Sequence, residues 1–184
     1  MSRTMRSALG ICVLFCLISG CNRDPVHDFK TVAIPSNYIA YMDPNGVYSL
    51  KIPPDWKTED NPHGVAFIAP TKVPDELRKN VNIIAQDAPE NATMPQAIRG
   101  QKAELESHFP GYQLIKSENA TLPNHDAHLI VFSGNMNGHP LKMMQMMLLD
   151  HNRIYFITFT SDPASYESYW PKVEPMLASF HGLK

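Results

Sequence analysis

The sequence predicts an α+β domain, an antiparallel β-sheet sandwiched by helices, behind an N-terminal leader and a short polar tether. Three observations predict it. Residues 112–160 carry four strand-like runs in succession, with Asn137-Gly138 and His151-Asn152 turning the last two corners. The last two runs are apolar on both faces, and a strand buried on both sides needs cover on both sides. Two stretches with apolar residues every three or four positions, one in mid-chain and one near the C-terminus, can provide that cover.

The elements follow in chain order. Residues 1–6 carry Arg3 and Arg6 and no acid, residues 7–19 are almost wholly apolar, and Ser19-Gly20 is small: the order of a secretory signal peptide. The apolar run is short for a membrane-spanning helix, which needs about 20 apolar residues. A short N-terminal anchor helix is the alternative. Leu17-Ile18-Ser19-Gly20-Cys21 resembles the bacterial lipoprotein box, an aliphatic residue followed by a small residue and an obligatory cysteine. The resemblance implies cleavage after Gly20, a diacylglycerol thioether on Cys21 and acylation of the new amino group. Asn22 rather than Asp after the cysteine implies, by the enteric sorting pattern, the outer membrane. Cys12 and Cys16 fall in the discarded leader, so Cys21 is the one cysteine of the mature chain, with its sulfur occupied. Disulfides and a Cys-ligated metal are then excluded. Two or more acyl chains anchor stably where one does not, each buried methylene contributing about 0.8 kcal/mol.

Residues 21–36 read as the lipidated cysteine and a polar, proline-containing tether, and residues 37–184 as the folded domain. Residues 38–42 and 47–52 form a hairpin across Asp43-Pro44-Asn45-Gly46. Pro53-Pro54 ends the second strand, and Trp56 is placed to fold back onto the core. Residues 64–69 and 81–86 are two further strands. Thr93-Met94-Pro95-Gln96 fits a capping box opening a helix to about Phe109, with Met94, Ile98, Leu105 and Phe109 on one face. In the run 141–150, Met144, Met146 and Leu148 point one way, and Leu141, Met143, Met147 and Leu149 the other. Asp162 can cap the closing helix and Pro163 suits its first turn. Tyr166, Trp170, Val173, Leu177 and Phe180 form its apolar stripe. Pro171 and Pro175 should kink this helix or divide it in two.

Removing the 20-residue leader from 184 residues leaves 164, in which 14 Lys and Arg face 18 Asp and Glu, a formal charge of −4. Mild acidity argues against nucleic acid and against a polybasic grip on anionic lipid. Tyr48-Ser49-Leu50-Lys51-Ile52-Pro53-Pro54-Asp55-Trp56 resembles the aromatic-Ser-x-x-x-Pro-x-x-Trp opening of PsbP-like and DcrB-like domains. The later order of helix, meander and final helix ending in Ser179-Phe180 is similar as well, over about residues 38–182. The resemblance implies an α/β/α sandwich. It also implies docking onto something larger, as in an extrinsic photosystem subunit, an envelope lipoprotein or a small-GTPase binder. The photosystem role does not transfer to a chain without a transit peptide.

Two groups of residues invite a metal. His125, Asp126 and His128 offer two imidazoles and a carboxylate, short of the four ligands of structural zinc or the three plus water of catalytic zinc. They read instead as a solvated loop leading into a strand. Met136, His139, Met143, Met144, Met146, Met147 and His151 carry donors soft enough for Cu(I). Strand alternation splits the four central methionines between opposite faces, which favours core packing. Hydrolase, zinc-protease and P-loop motifs are absent, and Ser133-Gly134 lacks a nucleophile-elbow context. The expectation is a non-catalytic, lipid-anchored accessory protein without a cofactor, held to the membrane through Cys21 and bound to an envelope protein. A periplasmic copper, zinc or small-ligand binder is the alternative.

Overall fold

The computed structural model describes residues 26–61, 64–71, 77–150 and 152–183. It contains strands β1 (Val26–Asp28), β2 (Ile39–Met42), β3 (Tyr48–Ile52), β4 (Lys57–Asn61), β5 (Gly64–Ile68) and β6 (Asn80–Asp87) before helix α1 (Met94–His108). Then come β7 (Gln113–Thr121), β8 (Asp126–Met136), β9 (His139–Asp150), β10 (Arg153–Ser161), helix α2 (Tyr166–Ala178) and β11 (His181–Gly182). The main sheet has eight strands in the order β1-β7-β8-β9-β10-β6-β5-β4, and a second has three, β11-β3-β2. All neighbours are antiparallel except β1, which runs parallel to β7.

The meander sets the core. On β9, Met144, Met146 and Leu148 enter the larger apolar cluster, beneath α2 and the small sheet. Leu141, Met143 and Met147 enter the smaller cluster on the opposite face, where Met94, Ile98, Leu105 and Phe109 of the α1 stripe cover them. Period two in the strand and 3.6 in the helix produce this match. At the α1 start, Gln96 Oε1 accepts from the Thr93 N–H at 3.0 Å and from its hydroxyl at 2.8 Å. At its end, Phe109 lies against Gly134, where a Cβ would stand 2.2 Å from the ring. Asn137 and Gly138 turn β8 into β9 with φ of 52° and 82°, the left-handed pair a two-residue hairpin requires.

The structure adds strands to the expected set and corrects other expectations. Residues 57–61, Lys-Thr-Glu-Asp-Asn, form the outermost strand, which shows no apolar alternation because it is a sheet edge. The tether expected over residues 21–36 does not stay free in its described part. Val26–Asp28 pairs with β7, and the Phe29–Thr31 3₁₀ turn buries Phe29 in the main core. Asp28 holds that turn, its carboxylate accepting from the Lys30 N–H and the Thr121 hydroxyl, both at 3.0 Å.

The closing helix is one element from Tyr166 through both prolines, not two. Spaced four apart, Pro171 and Pro175 stand one above the other, so their missing donors fall on a single stripe. Burial of Tyr166, Val173, Met176 and Leu177 supplies the stability. Asp162 and Pro163 precede the helix rather than open it, and Asp162 Oδ1 accepts from the Ser165 N–H at 2.9 Å. Trp56, expected to fold back, is buried in the main cluster.

Candidate functional site

Cys21 and His151 lie outside the described residues. His125, Asp126 and His128 do not converge. His128 is buried on the α1 side of β8, opposite Asn119 of β7, rather than solvated in a loop. Its Nδ1 meets Asn119 Oδ1 at 3.1 Å and its Nε2 meets Ser117 Oγ at 2.8 Å. A neutral ring satisfies both: Nδ1–H donates to the amide oxygen, and Nε2 accepts from the hydroxyl. Burial, and secondarily Lys102, pushes the imidazole below its ordinary pKa, with Glu118 opposing.

His125 turns to the end of the sheet. There its Nδ1 stands 3.8 Å from Asp150 Oδ2 and its ring 5.9 Å from that of His181. Asp126 is exposed. The cavity beside them holds about 670 Å³ and is broad, with Asn124, Asp126, Leu149 and Asp150 in its wall. Among the described residues, no group of three or more His, Cys, Asp or Glu is arranged to hold a metal ion. The four central methionines do not converge either. Met143 and Met147 are separated from Met144 and Met146 by the sheet itself, so the four sulfurs cannot share an ion.

Two buried charges escaped the sequence reading. Lys79 is 1% exposed, with its Nζ 3.4 Å from Asp162 Oδ2 and 5.7 Å from the centre of the Tyr169 ring. Burial pushes the Asp162 carboxyl up, but hydrogen bonds from Ser165 and Lys79 outweigh it and hold the pKa below the usual carboxylate value. Glu118 is buried on β7, its Oε1 2.7 Å from Lys116 Nζ and 3.8 Å from His27 Nδ1. His27 Nε2 reaches Glu174 of α2 at 3.0 Å, tying β1 to the helix. Both charges sit in stretches whose local pattern looks like ordinary polar surface, so no periodicity could have marked them.

The surface features that stand out are apolar. β2 is one outer strand of the small sheet among the described residues, opposite the two-residue β11, and exposes Ile39 and Met42, the latter 66% accessible. Its inward residue Tyr41 packs edge-on against Phe67 of β5, with centroids 4.9 Å apart. This strand therefore lies over the β5 side of the main sheet. No described helix is long and apolar enough to cross a membrane.

The DcrB family model matches residues 49–179, most of the chain. The chain belongs to the DcrB family. No curated protein matches it in sequence. Among solved structures, this DcrB-family fold is similar to the cyanobacterial PsbP protein CyanoP of Synechocystis sp. PCC 6803. The TM-score is 0.61 at 14% identity, over 83% of this chain and 95% of that one. It is also similar to LpqN of Mycobacterium tuberculosis, described as involved in cell envelope biogenesis, with a TM-score of 0.64 at 12% identity over 80% and 91% of the two chains. The Ran-binding protein Mog1p of Saccharomyces cerevisiae gives 0.56 at 8% identity, over 79% and 95%. At these identities the likeness is one of fold. The DcrB match and these neighbours agree with the PsbP-like and DcrB-like resemblance of residues 48–56.

Proposed function

We propose that this DcrB-family chain is a non-catalytic accessory protein of the bacterial cell envelope, anchored by lipid on Cys21, that binds another envelope protein through the outer edge of β2. The observation that carries the docking face is that edge: a strand paired on one side only, with β3, in which Ile39 and Met42 are exposed while Tyr41 is anchored on Phe67. An edge strand with aliphatic side chains offers main-chain hydrogen bonds and apolar contact together, which suits strand addition by a partner. Natural sheets usually blunt such edges with charge or proline, as Lys57, Glu59 and Asp60 do on β4. The DcrB match, the envelope role given for LpqN and the protein binding given for Mog1p support the reading.

The test is a photo-crosslinking residue at Ile39 or Met42 in the native host, with a control at exposed Lys57. A discrete adduct at 39 and at 42 but not at 57 is expected, the adduct at 42 being lost when Ile39→Asp is added. No adduct at either β2 position would overturn the docking face. Mass spectrometry showing bare Cys21 sulfur, or residues 1–20 still attached, would overturn the anchor.

A further inference from the structure

A second apolar strip lies on the opposite side of the molecule. β7 is covered at its outer edge by β1 only over Asn119–Thr121, so Gln113–Glu118 has no strand on that outer side among the described residues. Its pairing with β8 skips a residue: Leu114 faces Phe132 and Lys116 faces Val131, leaving Ile115 as a bulge. A bulge breaks the alternation of faces. Leu114 and Ile115, consecutive in sequence, are accordingly 47% and 54% exposed.

The position of β1 gives this strip its meaning. β1 runs parallel to β7 with Val26 opposite Asn119, so the N-terminal end of β1 points toward Ser117, Lys116 and Ile115. Ile115 is four residues from Asn119, about 14 Å along the strand. Cys21 is five residues from Val26, a reach of at most about 17 Å for a fully extended chain. Val26 is held firmly: β1 pairs with β7, His27 bonds to Glu174, and Phe29 is buried a few residues on. A lipid on Cys21 therefore keeps the bilayer within a short radius of one edge, and that edge carries the bulged Leu114 and Ile115.

We infer that the β1–β7 edge is the membrane-facing side of the domain, with Leu114 and Ile115 entering the lipid interface, while β2 faces away. This inference rests on the lipid anchor proposed above. The strip works by apolar contact rather than charge, because the nearest ammonium, on Lys116, is paired with Glu118 at 2.7 Å. Binding to phosphatidylcholine and to anionic vesicles should thus be alike and insensitive to salt. From β7 to β5 the sheet spans five strand spacings, about 24 Å. Contact at one edge holds β2 on the other side, clear of the bilayer.

The acylated full chain, purified from membranes and reconstituted in vesicles, provides the test. Because the mature chain has Cys21 as its one cysteine and that sulfur is occupied, Ile115→Cys supplies a single free thiol for a fluorescent probe. Thr58→Cys on β4 supplies the control at the opposite sheet edge. With nitroxide placed on lipid headgroups, quenching at 115 is expected to exceed that at 58 at least threefold, in zwitterionic as in anionic vesicles. Equal quenching at the two positions in protein that co-floats with vesicles would overturn the membrane-facing edge and leave the anchor standing. Failure to co-float, with bare Cys21 sulfur, would overturn the anchor and this inference with it. Shielding at 115 that disappears when the protein is diluted in the membrane would mean edge-to-edge pairing of two copies, and would also overturn it.

Discussion

Replacing Phe29 by alanine is expected to release the N-terminal segment while the rest of the domain stays folded. The ring is 1% exposed in the main core, and a buried Phe→Ala change costs about 3–5 kcal/mol. The remaining bonds of the segment include a three-residue pairing with β7, the Asp28 bonds to Lys30 and Thr121, and the His27 contacts with Glu174 and Glu118. Each is worth about 0.5–1.5 kcal/mol, or less for a partly exposed ion pair. Ordering the six residues Val26–Thr31 itself costs roughly 1–2 kcal/mol apiece, so these bonds cannot hold the segment without the ring. At 1.4 kcal/mol per tenfold, the docking equilibrium shifts roughly a hundred- to several-thousand-fold. Hydrogen exchange read by mass spectrometry should rise over residues 26–31 and 119–121. Protection in β8–β10 should change little, and the melting temperature should fall by less than a full core truncation implies. Unchanged exchange at 26–31 would refute the anchoring role. Exchange rising everywhere in parallel would refute the local release.

Three further outcomes follow from buried groups. His128 is held below its ordinary value of 6.5, so the unfolded chain takes up its proton first; its contribution is whole above about pH 6.5 and is lost as pH falls through the folded pKa. The urea midpoint should drop between about pH 7.5 and pH 5.5, and the drop should shrink in His128→Gln; identical slopes in the two proteins would refute it. Asp162 is also depressed, from an ordinary 3.8, so its contribution is present above about pH 4 and lost on further acidification. Asp162→Asn keeps an acceptor for Ser165 but loses the charge facing Lys79, and should cost about 1.5–3 kcal/mol in urea titration at neutral pH; a stability equal to the native protein would count against the pair. Gly134→Ala drives a methyl into the Phe109 ring and should cost about 1–3 kcal/mol in thermal melts. That cost should vanish in a Phe109→Ala background, and simple additivity would show that the contact is not responsible.

Where a signal is local, the sequence carried it. The two-faced pattern of residues 141–150 placed each methionine on its observed side, the Met94–Ile98–Leu105–Phe109 stripe marked the covering helix, and Asn137-Gly138 marked the two-residue hairpin between β8 and β9. Periodicity reports which face of an element is apolar, and turn dipeptides report backbone that only certain residues adopt. The candidate site was less legible. Alternation revealed that His128 opposes Ala127 and Leu129, but not that Ser117 and Asn119 wait there to satisfy it.

What only the tertiary structure decided lies at edges and across long separations in the chain. The sequence by itself determined an α+β meander with helices on both faces. The tertiary structure decided that Val26–Thr31 docks in parallel on β7, that Lys57–Asn61 closes the other edge, and that α2 runs unbroken through two prolines. It also decided that Lys79 and Glu118 are buried with partners. In each of these the local pattern is weak or points elsewhere. The deciding free energy comes from surfaces brought together by the rest of the fold, which no window of neighbouring residues contains.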